Sequence, residues 1–151
     1  MYKRILVPLD GSERSESILP FVEQMAGPAD TEVILLTVAT LPAGPSVLKS
    51  GVVFPNEVEA EQAQAERALA IIQGKLSTKG LRVRVLVTVA AASEVAGEIC
   101  RVAREERADL IAISTHGRTG ASRLMFGSVA EGVARAASLP LLMIRTAAPR
   151  R

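Results

Sequence analysis

Residues 5–12 read Ile-Leu-Val-Pro-Leu-Asp-Gly-Ser, and they contain the first strand signal of the sequence. A short apolar run ends in an acidic turn, and apolar residues then recur at helical spacing at Ile18, Val22 and Met25. The same alternation of apolar run and helical pattern continues along the chain. It predicts five strands joined by four helices, which is the arrangement of an α/β protein whose parallel sheet carries helices on both faces.

Four further apolar runs mark the remaining strands, and they begin at Val33, Leu81, Leu110 and Leu141. The third run alternates apolar and charged residues, so that Arg82 and Arg84 share one face. Charged side chains commonly protect the edge of a sheet from pairing with another chain. We therefore expect the third strand at an edge.

Several residues predict where the helices begin. Ser12 is expected to cap the first helix, and Pro20 should kink it. Ser93 is placed at the start of the third helix. Ser128, followed by Glu131, has the spacing of a capping box at the start of the fourth helix.

Length and composition indicate one globular domain over residues 1–151, with 48% hydrophobic and 23% charged residues. No apolar stretch approaches the roughly 18 residues of a membrane span, and we expect no membrane association. We read no export signal at the N-terminus. Cys100 is the only cysteine, which excludes an internal disulfide and favours a reducing, cytoplasmic location. It lies beside a helical apolar stripe, and we interpret it as a packing residue.

The charge balance argues against nucleic acid as a partner. The net charge is +2, and aromatic residues make up 3% of the chain. A protein that binds a phosphate backbone needs a cationic face, and one that binds single strands needs stacked aromatic side chains. Neither pattern is present in the sequence.

Two strand ends carry polar residues at the edge where open parallel sheets bind ligands. Asp10 follows the first strand, and its carboxylate could accept from sugar hydroxyls or an exocyclic amine. It could equally be a turn residue beside the cap at Ser12. The sequence leaves these two roles open.

The second polar segment follows the fourth strand and runs from Gly117 to Ser128. Its glycines would let backbone N–H groups approach an anion, and a helix begins at its end, where phosphate is favoured. Arg118 could reach a phosphate. His116, the only histidine, is interpreted as a polar turn residue, with phosphate orientation or proton transfer as the alternative.

Known nucleotide motifs of other kinds do not fit. The sequence contains no G-x-x-x-x-G-K-[ST], and the first strand is not followed by G-x-G-x-x-G. The third strand ends in Thr88-Val89-Ala90, without the aspartate of a receiver domain.

Residues 5–12 and 114–128 together resemble the universal stress protein family, over essentially the whole chain. The ATP-binding branch of that family carries G-x2-G-x9-G-[ST]. This chain matches the motif at Gly117 and at Gly127-Ser128, and Ser114 replaces the first glycine.

The resemblance implies an adenine nucleotide alpha hydrolase-like fold with strand order 3-2-1-4-5. It implies that Asp10 contacts ribose or adenine and that the Val38 backbone pairs with the adenine edge. Phosphates, often with Mg²⁺ or Mn²⁺, would lie against Gly117, Gly127, Ser128 and Val129. Pro8, Ser114, His116 and Arg118 complete the expected nucleotide-binding set, in which no side chain is a metal ligand.

The function implied by this resemblance is that of a cytoplasmic, ATP-binding stress protein whose nucleotide regulates an unidentified protein partner. The alternatives are a dimeric adaptor that binds no nucleotide and a slow ATP hydrolase. The sequence shows no catalytic base or other catalytic residue, which favours binding over efficient catalysis.

The fifth strand predicts a homodimer. Its core reads Leu141-Leu142-Met143-Ile144, is apolar on both faces, and lacks the arginines of the third strand. An unprotected apolar edge favours pairing with a second copy.

Overall fold

Five parallel strands form one sheet in a computed structural model that describes residues 1–27, 30–40, 55–116 and 127–146. The strand order is β3-β2-β1-β4-β5, as predicted. The strands are β1 (Arg4–Pro8), β2 (Glu32–Thr40), β3 (Arg82–Ala90), β4 (Leu110–His116) and β5 (Leu141–Thr146).

Helices cover both faces of this sheet. They are α1 (Glu13–Glu16), α2 (Leu19–Ala26), α3 (Pro55–Ser77), α4 (Val95–Glu105) and α5 (Ser128–Ala136), and a 3₁₀ turn spans Ala92–Glu94. Within the described ranges, no helix is both long and apolar enough to cross a membrane.

Strand β1 lies at the centre of the sheet, where Leu6 pairs with Ile34 of β2 and with Ile111 of β4. All three side chains are fully buried. Because successive strand residues point to opposite faces, the continuous apolar run of β1 supplies a core on each side.

The two cores belong to different helices. Ile5 and Val7 pack with residues of α2 and α3, including Val22 and Leu69. On the opposite face, Leu6 and Ile34 pack with α4 and α5, and Ile99 and Val133 are the helix residues there. The three-layer arrangement follows directly from this alternation.

The prediction that β3 is an edge strand is confirmed. Arg84 is paired with Glu106 at the end of α4 and lies 3.6 Å from Glu32 at the start of β2. The hydrogen bond to Glu106 raises the pKa of Arg84. The arginine therefore ties the edge strand to its neighbours, while Arg82 stays exposed.

The interpretation of Cys100 as a packing residue is also confirmed. Its side chain is buried with Ile99 and Val102 of α4 in the core beneath that helix. Burial raises the pKa of the thiol, because the charged form is poorly solvated there. The thiol therefore stays protonated near neutral pH.

Helix boundaries differ from the sequence predictions in two places. Pro20 does not kink a helix, because the first helical segment is divided and Pro20 lies in the first turn of α2. A first-turn proline loses no intrahelical hydrogen bond, which makes it a favourable start. Ser93 does not open α4 either. It lies in the 3₁₀ turn, and α4 begins at Val95 after Glu94.

Candidate functional site

A crevice opens beyond the carboxyl ends of β1, β2 and β4, on the face covered by α4 and α5. The cavity has a volume of about 160 Å³ and is open to solvent on one side. From β1 the chain continues to β2 and β3 on one side, whereas β4 and β5 lie on the other side of β1. The crevice therefore lies where the winding direction reverses, the usual ligand position in such sheets.

The tip of β1 forms a tight turn at the crevice. Oδ1 of Asp10 accepts hydrogen bonds from the backbone N–H of Ser12 at 2.9 Å and from its hydroxyl at 2.6 Å. Gly11 between them has a φ of +82°, a conformation that favours glycine. Of the two roles that the sequence left open for Asp10, the structure shows the turn role. Asp10 also lines the crevice, so the turn holds a carboxylate there.

Ser12 caps α1 as predicted. Its hydroxyl accepts from the Ser15 N–H at 3.1 Å. The Ser15 hydroxyl donates to the Ser12 carbonyl at 2.8 Å and accepts from the Asp10 N–H at 3.3 Å. These bonds fix the backbone around Asp10, and they place the buried Ser15 on the crevice wall.

Strand β2 extends past the end of β1 and exposes backbone to the crevice. The Leu9 N–H donates to the Leu36 carbonyl at 2.8 Å, so the backbone of Leu36 faces β1. Alternate residues of a strand turn their backbone groups to the same side. The N–H and carbonyl of Val38 therefore point to the β1 side, beyond Pro8, where the crevice begins.

Strand β4 contributes Ile113, Ser114 and Thr115 to the wall. Ser114 lies inside the strand, paired with Ile144 of β5, and its backbone is not among the positive-φ residues. The position therefore accepts a side chain without backbone strain. Ser114 is half-buried, and Thr115 is buried.

The N-terminus of α5 opens into the crevice through Gly127, Ser128 and Val129. The predicted capping box is wrong. Gly127 is the N-cap residue and has no side chain with which to cap the helix, and Ser128 is the first helical residue. Glu131 turns instead to Arg135, at 2.5 Å. A glycine N-cap offers no side-chain acceptor to the first amide N–H groups of α5, and the residues that carry these groups line the crevice.

The sequence pattern of the universal stress protein family matches residues 1–145. The chain belongs to this family. Universal stress protein MJ0577 of Methanocaldococcus jannaschii is 30% identical over 158 residues, covering 96% of each chain. The solved structure of MJ0577 superimposes with a TM-score of 0.79 over 98% of this chain and 99% of that one.

Two further solved structures share the fold. A universal stress protein from Burkholderia pseudomallei is 28% identical, with a TM-score of 0.72 over 95% of this chain and 96% of its own. A universal stress protein in complex with cAMP is 21% identical, with a TM-score of 0.65 over 97% of this chain and 98% of its own.

Most of the site residues predicted for this universal stress protein lie together. The crevice is lined by seven of them: Pro8, Asp10, Val38, Ser114, Gly127, Ser128 and Val129. Gly117, Arg118 and the side chain of His116 lie outside the described residues. The prediction for these three stays a prediction.

Sequence reasoning missed the apolar wall of the crevice. Val95 and Ile99 of α4 line it together with Leu36 and Ile113. One signal was available, because a helix that follows a parallel strand begins at the carboxyl edge, and α4 is the helix that follows β3. An apolar wall of this kind suits the face of a flat ring rather than a charged group.

Within residues 1–27, 30–40, 55–116 and 127–146, no group of three or more His, Cys, Asp or Glu side chains is placed to hold a metal ion. The donors that face the crevice there are hydroxyls, backbone groups and the single carboxylate of Asp10. This set suits a neutral ring, a sugar and an anion.

Proposed function

We propose that this universal stress protein binds ATP in the crevice, with the phosphates at the N-terminus of α5. The observation that carries the proposal is that Gly127, Ser128 and Val129 lie at a helix start whose N-cap is a glycine, and that they line a crevice together with apolar residues of α4 and the sheet. Helix N-termini attract phosphate through unpaired N–H groups and the helix dipole.

The other lining residues suit the nucleoside. Val38 offers backbone N–H and carbonyl groups to the adenine edge, and Val95 and Ile99 offer apolar surface to the ring. Asp10, fixed by its bonds to Ser12, offers a carboxylate to the ribose hydroxyls. The universal stress protein in complex with cAMP supports the proposal, because it shows this fold holding an adenine nucleotide.

The proposed role is regulatory. The protein would be a cytoplasmic member of the stress response, and bound ATP would alter a surface that a protein partner recognises. A divalent ion would enter with the nucleotide and be held through its phosphates.

Calorimetric titration with ATP, followed by chromatography of whatever nucleotide a denatured sample releases, tests the proposal. We expect saturable binding of one ATP per chain. The absence of binding by ATP, ADP and AMP would contradict it and would favour an adaptor that uses no nucleotide.

Hydrolysis should be slow, at less than one ATP per minute, against a typical enzyme median of about 10 per second. In the described part of the crevice, Asp10 supplies the carboxylate, and its Oδ1 is already bonded to Ser12. A phosphate-release assay measures the rate. Fast, saturable turnover that Asp10→Asn abolishes would make the protein an enzyme, since asparagine keeps the turn but removes the charge.

The Ser114→Gly variant should change ATP affinity by less than tenfold. Ser114 has an unstrained strand backbone, and its small side chain carries a hydroxyl that can donate to the ligand. Calorimetry on both proteins checks this. If wild type binds no ATP and Ser114→Gly does, the serine is a steric block, and the protein is a ligand-free adaptor.

We also propose a homodimer through β5, which ends the strand order of the sheet. Leu142 and Ile144 pack towards the core of α2 and α3, and Leu141 and Met143 towards the core of α4 and α5. All four remain half-exposed. Antiparallel pairing with β5 of a second copy across a two-fold axis would cover them.

A further inference from the structure

Helices α4 and α5 pack against each other, and Gly132 of α5 faces Ala96 of α4. A Cβ atom at position 132 would lie 2.7 Å from the Cβ of Ala96, whereas carbon atoms in contact prefer about 3.5–4.0 Å. The Cβ of Ala96 is bonded directly to the helix backbone, so no side-chain rotation relieves the clash. The two helices would have to separate by roughly 1 Å.

Other helical glycines with described surroundings differ from Gly132. A Cβ at Gly97 on α4 or at Gly74 on α3 would meet no atom within 4 Å. Close packing of the two helices therefore requires a glycine at position 132, whereas positions 97 and 74 have room for a side chain.

This contact lies next to residues that line the crevice. Val95, which precedes Ala96, lines the crevice with its apolar side chain, and Ser128, one helical turn before Gly132, lines the crevice as well. Residues four apart share a face of a helix. A displacement of α5 at Gly132 would therefore carry the amides of Ser128 and Val129 away from α4.

We infer that the contact between Gly132 and Ala96 sets the width of the crevice and is thereby a specificity-determining feature of nucleotide binding. Gly132 is a positioning residue that acts through Ser128 and Val129. It keeps the phosphate-binding amides at a fixed distance from the apolar wall. The inference rests on the proposed function, because it takes the crevice to hold the nucleotide in that orientation.

The test compares ATP with adenosine, which lacks the phosphates, by calorimetry at a temperature where thermal melts show every variant folded. Gly132→Ala should weaken ATP binding at least tenfold and adenosine binding less than threefold. The matched control Gly97→Ala should leave both within twofold. The swapped variant Ala96→Gly with Gly132→Ala moves the methyl group across the contact and should restore ATP affinity to within threefold.

Unchanged ATP affinity in Gly132→Ala would overturn the inference, and so would equal losses for ATP and adenosine, which indicate general structural damage. If Gly132→Ala does not fold, the swapped variant decides: folding with wild-type ATP affinity supports the inference, and a tenfold loss overturns it. Wild-type protein that binds neither ligand would refute the proposed function itself.

Discussion

The Gly127→Val variant should lose ATP binding, with a dissociation constant at least a hundredfold above that of the wild type. Gly127 is the N-cap of α5 and lines the crevice, with φ −56° and ψ 148°. Any residue adopts this backbone conformation, so valine should leave the fold intact. Its branched side chain would occupy the space through which phosphates reach the amides of Ser128 and Val129.

Gly74→Val is the matched control, because it makes the same substitution on α3 at a position where an added Cβ meets no atom within 4 Å. Calorimetric titration should give wild-type ATP affinity for this control within twofold. Equal affinity in Gly127→Val and wild type would show that the nucleotide binds elsewhere.

The Met143→Lys variant should convert the proposed dimer to a monomer at micromolar concentration, raising the dimer dissociation constant at least a hundredfold. Met143 is half-exposed on β5 and packs towards the core of α4 and α5. Pairing of two β5 strands would force a lysine ammonium at this position out of water without an acidic partner, which is strongly unfavourable.

Sedimentation velocity measures the change. Ile71→Lys is the control, because Ile71 is 62% exposed on α3, away from β5. A lysine at this position stays hydrated. We expect this control to remain dimeric. A wild-type protein that sediments as a monomer at micromolar concentration would contradict the β5 interface, and so would a Met143→Lys dimer.

Sheet order was predictable because the strands differ in chemistry. The alternation of apolar and charged residues in β3 predicted an edge strand, and the structure confirms it. Arg84 of this strand is bonded to Glu106 at the end of α4. The continuous apolar run of β1 predicted burial on both faces, and Leu6 is fully buried. Hydrophobic periodicity carries this information because strand position determines which faces meet water.

Helix starts were less predictable, because several residues compete for each cap. Pro20 was expected to kink a helix and lies in the first turn of α2 instead. Ser128 and Glu131 had capping-box spacing, yet Gly127 became the cap and Glu131 paired with Arg135. Local spacing does not determine which residue takes the cap when the neighbouring turns offer similar alternatives.

The site was predictable where polar residues follow strands and unpredictable where apolar residues line it. Asp10 and Ser128 stood out as polar residues at strand and helix ends. Val95 and Ile99 read as ordinary core positions of α4, because the sequence pattern does not distinguish the wall of a crevice from the interior of a core.

Titration of ¹⁵N-labelled protein with ATP, followed by amide NMR, shows which backbone amides contact the phosphates. The Ser128 and Val129 amides should show the largest chemical-shift changes in the described part of the chain, and their resonances should saturate together with those of Asp10 and Val38. Adenosine should shift the amide resonance of Val38 and leave that of Ser128 nearly unchanged. Saturable ATP binding that leaves the Ser128 and Val129 amides unshifted would contradict the placement of the phosphates at the N-terminus of α5.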